Sequence, residues 1–223
     1  MTQRQLFLLS PASCSGRRAA LLFNERAEFF LARRLREQGA TLGEVFSFLS
    51  GLYFRGKLTY ARAFTESGGQ HSPSLTLRVG IESRICVITT SRGLLDPETV
   101  VRLEDLREFA AVPIDRAEPR YREPLARDAA ELAARLPNEG RAVLLGSIAS
   151  DKYVEILRAA FGDRLVFPAA FVGRGDMSRG GLLLRAVDEG RELEYAPVIG
   201  SARRGARPGK LPPRFVRPIT TDE

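Results

Sequence analysis

Phe171-Val172-Gly173-Arg174-Gly175-Asp176-Met177-Ser178-Arg179 sets two arginines around glycines and a hydroxyl. Glycine lets a backbone approach a ligand with no Cβ in the way. Arginine grips phosphate or carboxylate with a planar fork of donors. The chemistry on offer is capture of one anion by Arg174, Gly175, Ser178 and Arg179. A solvated loop, charged only for solubility, is the other reading of the same residues.

Three other turns carry small hydroxyls or cations behind an apolar run. Ser10-Pro11-Ala12-Ser13-Cys14-Ser15-Gly16 follows Leu6-Phe7-Leu8-Leu9. Ser91-Arg92-Gly93 follows Ile85-Cys86-Val87-Ile88-Thr89-Thr90, and Ser147-Ile148-Ala149-Ser150-Asp151 follows Ala142-Val143-Leu144-Leu145-Gly146. Each run reads as a buried strand. If the strands are parallel, Ser10, Cys14, Ser91, Arg92, Ser150, Asp151, Arg174 and Arg179 converge, because open α/β sheets bind ligands at strand C-terminal ends. Cys14 is a candidate nucleophile if an arginine and a helix N-terminus lower its thiol pKa; an inert buried cysteine is the alternative. Ser150 and Asp151 also fit as helix N-caps, which alone would explain them.

Residues 41–64 interleave Phe46, Phe48, Tyr53, Phe54, Tyr60 and Phe64 with Arg55, Lys57 and Arg62. Aromatic and basic residues together can stack and hold nucleic acid. Two short helices packing their aromatics inward would show the same pattern.

Several chemistries are excluded. Ser-His-Asp and Cys-His sites need a histidine, and the only one, His71, sits in a polar loop. One histidine and two cysteines, Cys14 and Cys86, do not make a zinc site or a disulfide framework. No glycine spacing matches a P-loop or a dinucleotide fingerprint. No metal or cofactor is expected. No apolar run is long enough to span a bilayer, and Leu6–Leu9 behind Arg4 is too short for a signal peptide. A soluble cytoplasmic protein with no membrane partner is expected.

The elements that must position these residues alternate. Strands are predicted at residues 5–9, 84–90, 142–146, 165–167 and 193–198. Helices are predicted over 17–38, within 41–64, and over 103–111, 121–136, 154–161 and 182–189, with a loop over 65–73. That order gives an α/β fold, a single domain with a mixed or mostly parallel central sheet flanked by helices. The length of 223 residues and a hydrophobic content of 44% suit one such domain, over residues 1–199. Of the formal charge of +7, +4 lies in residues 201–223, which also hold four of the 13 prolines. Residues 200–223 are expected to be a mobile basic tail.

Five turns together resemble one family, the peroxide-stress resistance protein YaaA and its relatives. They are Leu9-Ser10-Pro11-Ala12, Phe54-Arg55-Gly56-Lys57-Leu58-Thr59-Tyr60, Gly93-Leu94-Leu95-Asp96-Pro97, Ile148-Ala149-Ser150-Asp151-Lys152-Tyr153 and Arg174-Gly175-Asp176-Met177-Ser178-Arg179. Order and approximate spacing agree over residues 6–190, as in a divergent branch. The resemblance implies an α/β fold with helical additions, DNA binding, and protection from oxidative damage linked to intracellular iron. It also draws Tyr153 into the candidate site.

Three readings stand at this point. The first is a YaaA-like stress protein binding DNA, or another phosphate-bearing ligand, through an Arg/Ser-lined cleft. The second is an enzyme acting on a nucleotide, nucleoside or modified base at that cleft. The third is purely structural, with Arg174 and Arg179 paired to internal acids.

Overall fold

The apolar runs become the interior of one sheet. In the computed structural model, which describes residues 5–66, 84–149, 151–209 and 211, four parallel strands form its centre. They are β1 (Gln5–Leu9), β3 (Ile85–Ile88), β6 (Arg141–Leu145) and β7 (Leu165–Pro168). Short antiparallel strands close the edges: β4 (Leu94–Leu95) beside β3 and β8 (Tyr195–Pro197) beside β7. The order is β4-β3-β1-β6-β7-β8. Phe7 is level with Ile85 on one side and Val143 on the other. A second small sheet pairs β2 (Ala40–Thr41) with β5 (Val100–Val101). The fold class is α/β, with a mixed, mostly parallel sheet.

Nearly every residue of the four central strands is buried. A strand buried on both faces needs helices on both faces. The described residues form α1 (Arg17–Phe23), α2 (Phe30–Glu37), α3 (Leu42–Ser50), α4 (Leu52–Glu66), α5 (Leu103–Ala111), α6 (Pro119–Arg135), α7 (Asp151–Phe161) and α8 (Asp176–Asp188). From β1 the chain crosses to β3 in one direction; from β6 it crosses to β7 in the other. Right-handed crossovers that move oppositely put their helices on opposite faces. Accordingly α4 packs with α8, and α6 packs with α7.

Two expectations change. The helix predicted over 17–38 breaks into α1 and α2, because Asn24 leaves helical geometry and its Oδ1 accepts from the Arg26 N–H at 3.0 Å. The stretch at 171–179 is only partly a loop: Asp176, Met177, Ser178 and Arg179 form the first turn of α8, with Gly175 at its N-cap. The basic tail is mostly exposed in its described part, and three contacts tie it to the body. Arg203 pairs with Asp151, Arg174 donates to the Gly209 carbonyl at 3.4 Å, and Gly173, at φ 74°, leaves room for the Ala206 carbonyl. Most of the 65–73 loop, including His71, lies outside the described residues, as do Ser150, Lys210, Arg214 and Arg217.

Candidate functional site

The connections of β1 and β6 diverge, and neighbouring strands whose connections diverge open a crevice at their C-terminal ends. Ser10 is the first residue beyond β1, and its N–H still pairs with the Leu145 carbonyl of β6 at 3.2 Å. Gly146, directly after β6, stands opposite. A Cβ there would lie 2.9 Å from both Ser10 Cβ and the Tyr153 hydroxyl. The glycine therefore lets Tyr153, on the first turns of α7, come up against Ser10. The Tyr153 hydroxyl donates to the Ser147 carbonyl at 2.9 Å, and burial pushes its pKa up to about 12.

The other wall comes from α4 and α8. These helices cross at Gly56 and Gly180. A Cβ on Gly56 would meet the Gly180 carbonyl oxygen at 2.7 Å, and one on Gly180 would meet the Leu52 carbonyl oxygen at 2.7 Å. Backbones this close carry the residues beside the glycines, Lys57 and Arg179, inward. Lys57 Nζ donates to the Ser10 carbonyl at 2.7 Å and to the Ser10 hydroxyl at 2.9 Å. It also lies 4.5 Å from the Tyr53 ring centre and 4.8 Å from that of Phe54. Arg179 donates from Nε to the Phe171 carbonyl at 3.3 Å, lies over the Phe171 ring, and reaches Asp176 at 3.4 Å.

These groups are out of water. Lys57 is 1% exposed, Tyr53 5%, Ser10 6%, Tyr153 7% and Arg179 8%. Burial lowers the Lys57 pKa to about 7, with Asp176 opposing that shift and Arg179 adding to it. The Tyr53 hydroxyl faces the Arg179 guanidinium, is held far above its ordinary pKa by burial, and donates its O–H to no acceptor among the described residues. A buried donor left open is rare, and it marks a place that a ligand or ordered water completes. One buried guanidinium, a buried amine that titrates near neutrality and one open hydroxyl, against the exposed carboxylate of Asp176, make a centre that an anion would stabilise.

The candidates from sequence divide accordingly. Ser10, Tyr153 and Arg179 meet. Arg174 and Ser178 bond each other at 3.2 Å on the rim, next to Gly175. Asp151, at the start of α7, is occupied by Arg203. Ser91 does not join them: its hydroxyl donates to Glu108, lining an open cleft of about 670 Å³ with Arg120 and Arg127. Arg92 is likewise held by Glu108 and Asp105. Cys14 is buried, its thiol pKa pushed up to about 12, opposite to what a nucleophile requires.

Among the nucleic-acid candidates Arg55 is exposed, Arg62 is exposed and paired with Glu98, and Lys57 is buried beyond reach of a duplex. The aromatic-basic stretch makes Lys57 a nucleic-acid candidate in the sequence, whereas in the fold it faces Ser10. Tyr53 was read only as an aromatic, although a lysine four residues later, one helical turn on, puts both on one face. Among the described residues no group of three or more His, Cys, Asp or Glu could hold a metal ion, and no helix is long and apolar enough to cross a membrane.

No family model matches the chain, and neither a curated protein nor a solved structure matches it.

Proposed function

We propose that the chain binds, and acts on, a small phosphate-bearing molecule such as a nucleotide at the Ser10–Lys57–Arg179 cluster. The observation that carries this reading is the burial of Arg179 and Lys57 at the divergence of β1 and β6. Groups buried this deeply cannot reach the backbone phosphates of a duplex, whereas a small anion can enter and pair with Arg179. Strongly shifted groups gathered in a crevice are also a mark of functional sites. Four of the five YaaA-like turns lend a residue to this cluster or its rim: Ser10, Lys57, Tyr153 and Arg179.

The test is a thermal-shift series on the full chain with inorganic phosphate, a mononucleotide, a free nucleobase and short duplex DNA. A saturating ligand that binds only the folded state, at about 100 times its Kd, adds roughly 2.7 kcal/mol. The mononucleotide is expected to stabilise the wild type and not Arg179→Met. Stabilisation by duplex DNA alone, or a nucleotide shift that survives Arg179→Met, would overturn the reading.

A second reading keeps DNA as the ligand and with it the peroxide-stress role that the YaaA resemblance implies. It is favoured by the exposed arginines Arg55, Arg204 and Arg207. These could give salt-sensitive, sequence-independent contacts with phosphates.

A further inference from the structure

Nζ of Lys57 makes two hydrogen bonds among the described residues, both to Ser10. The aromatic faces of Tyr53 and Phe54 enclose it, and Asp176 pairs with Arg179 instead. The charged groups acting on it are Asp176 and Arg179 of α8; Tyr53 of its own helix and Tyr153 of α7 complete the titratable surroundings. An amine so enclosed sheds its proton near neutrality, its pKa lowered to about 7 by burial. A neutral amine keeps two N–H donors and one lone pair. The charged amine donates to the Ser10 carbonyl at 2.7 Å and to the Ser10 hydroxyl at 2.9 Å; once neutral, it keeps the first bond and its lone pair accepts the Ser10 O–H in place of the second. That is the spacing of an activated nucleophile and its base.

We infer that Ser10 and Lys57 form a nucleophile–base pair, and that the site transfers or hydrolyses an acyl group carried by an anionic substrate. The inference rests on reading this cluster as a small-molecule site. The Ser10 oxygen bonds to the acyl carbon while its proton passes to Nζ. The bond from that carbon to the leaving group breaks, and the leaving group departs with the proton from Nζ. Water then attacks the acyl-serine, giving its proton to Nζ; the serine oxygen takes that proton back as the acid leaves. Atoms and charge balance, and no oxidant, metal or cofactor enters. Tyr53 contributes the open hydroxyl as a donor to the oxyanion that develops on the acyl oxygen. Arg179 holds the anionic part of the substrate. Tyr153 is a positioning residue, anchored to Ser147 and pressed against Ser10 through the gap left at Gly146.

The test is labelling of the full chain by a small fluorophosphonate, in which the serine oxygen bonds to phosphorus and fluoride leaves. Intact mass and peptide mapping are the readouts. One adduct is expected, on Ser10, forming faster as pH rises through about 7. Ser10→Ala should give none. Lys57→Met, checked for folding by its melt, should slow labelling about 100-fold or more, the usual worth of a general base. Lys57→Arg, which keeps a charge but cannot act as a base, should be as slow. No adduct on Ser10 between about pH 6 and 9, or labelling of Lys57→Met at the wild-type rate, would overturn the pair. If the nucleotide still stabilises the unlabelled protein, the nucleophile–base pair alone has failed; if it does not, the small-molecule reading has failed with it.

Discussion

Lys57 of α4 and Ser10 at the end of β1 are joined by two hydrogen bonds, of 2.7 and 2.9 Å, although 47 residues separate them. Ser10 N–H meanwhile extends the β1–β6 pairing. The lysine therefore ties a helix to the end of the sheet at the point where a ligand crevice forms. A structural tie alone would be better made by an uncharged group, because a buried cation whose facing carboxylate, Asp176, pairs with Arg179 instead costs desolvation energy that apolar packing would not.

That cost predicts a pH dependence of stability. Lys57 titrates at about 7 in the folded chain, against 10.5 for an ordinary lysine. Below about 7 both states hold the proton, and the burial penalty is fully present. Between 7 and 10.5 the unfolded chain holds a proton that the folded chain has lost, so this group's contribution improves with pH. The slope is on the order of 1.4 kcal/mol per pH unit. Lys57→Met lacks it. Denaturation of both proteins between about pH 6 and 9 should show the advantage of Lys57→Met greatest at low pH and shrinking upward. Parallel curves would mean that Lys57 stays charged.

The crossing of α4 and α8 gives a second prediction. Gly56→Ala and Gly180→Ala each drive a Cβ to 2.7 Å from a backbone carbonyl oxygen, which cannot rotate away. Each should cost about 1–3 kcal/mol or more by overpacking. Both should also weaken nucleotide binding, because spreading the helices separates Lys57 from Arg179. Gly175→Ala is the control: nothing lies within 4 Å of its Cβ position and its φ is −82°. Its stability should stay within about 0.5 kcal/mol of wild type. Chemical denaturation with ligand titration separates the three.

The parallel centre of the sheet was legible because Leu6–Leu9, Val87–Ile88, Val143–Leu145 and Leu165–Phe167 are continuous apolar runs, which only a doubly covered sheet can bury. The meeting of Ser10, Tyr153 and Arg179 followed from reading the polar turns as strand ends. Lys57 was not legible in that way. Its neighbours in sequence are aromatic and basic, and nothing local distinguishes a lysine facing solvent from one facing Ser10. What turns it inward is the glycine crossing, a relation between residues 124 positions apart. Two-residue strands such as β2 and β5 were missed for a similar reason, since their pairing is tertiary and leaves no periodicity.

Gly93-Leu94 resembles a family motif, yet it stands away from the cluster, and its role is structural. Asp128, 2% exposed on α6, accepts the Leu94 N–H at 2.9 Å. Gly93, at φ 66°, lets the chain turn past that carboxylate. Asp128→Ala should leave a buried N–H open and cost about 1–3 kcal/mol. Nucleotide binding by the folded variant should be unchanged. A lost thermal shift with intact stability would place this turn in the site instead.

Burial of Cys14 predicts chemical silence. With the thiol pushed up to about 12, the thiolate is scarce at neutral pH. Iodoacetamide should modify Cys14 in the native chain only as fast as the chain opens, and Cys14→Ala should bind nucleotide like the wild type. Rapid alkylation of the folded protein would contradict the burial.

The two ligand readings separate by which arginines matter. If duplex DNA binds, exposed cations touch the phosphates. Arg55→Ala or Arg204→Ala should then weaken binding evenly across sequences and lower the slope of log K against log salt by about 0.9 for each phosphate no longer neutralised. Lys57→Met and Arg179→Met should leave DNA affinity alone, because both side chains are buried. If the small-molecule reading holds, the pattern inverts: the buried pair controls nucleotide binding, and the exposed arginines change it little. One set of four variants, titrated with a mononucleotide and with duplex DNA at two salt concentrations, distinguishes the cases. Dependence of DNA affinity on Lys57 and Arg179 would show instead that the duplex is opened at the crevice, with an unpaired nucleotide entering the site that a mononucleotide otherwise occupies.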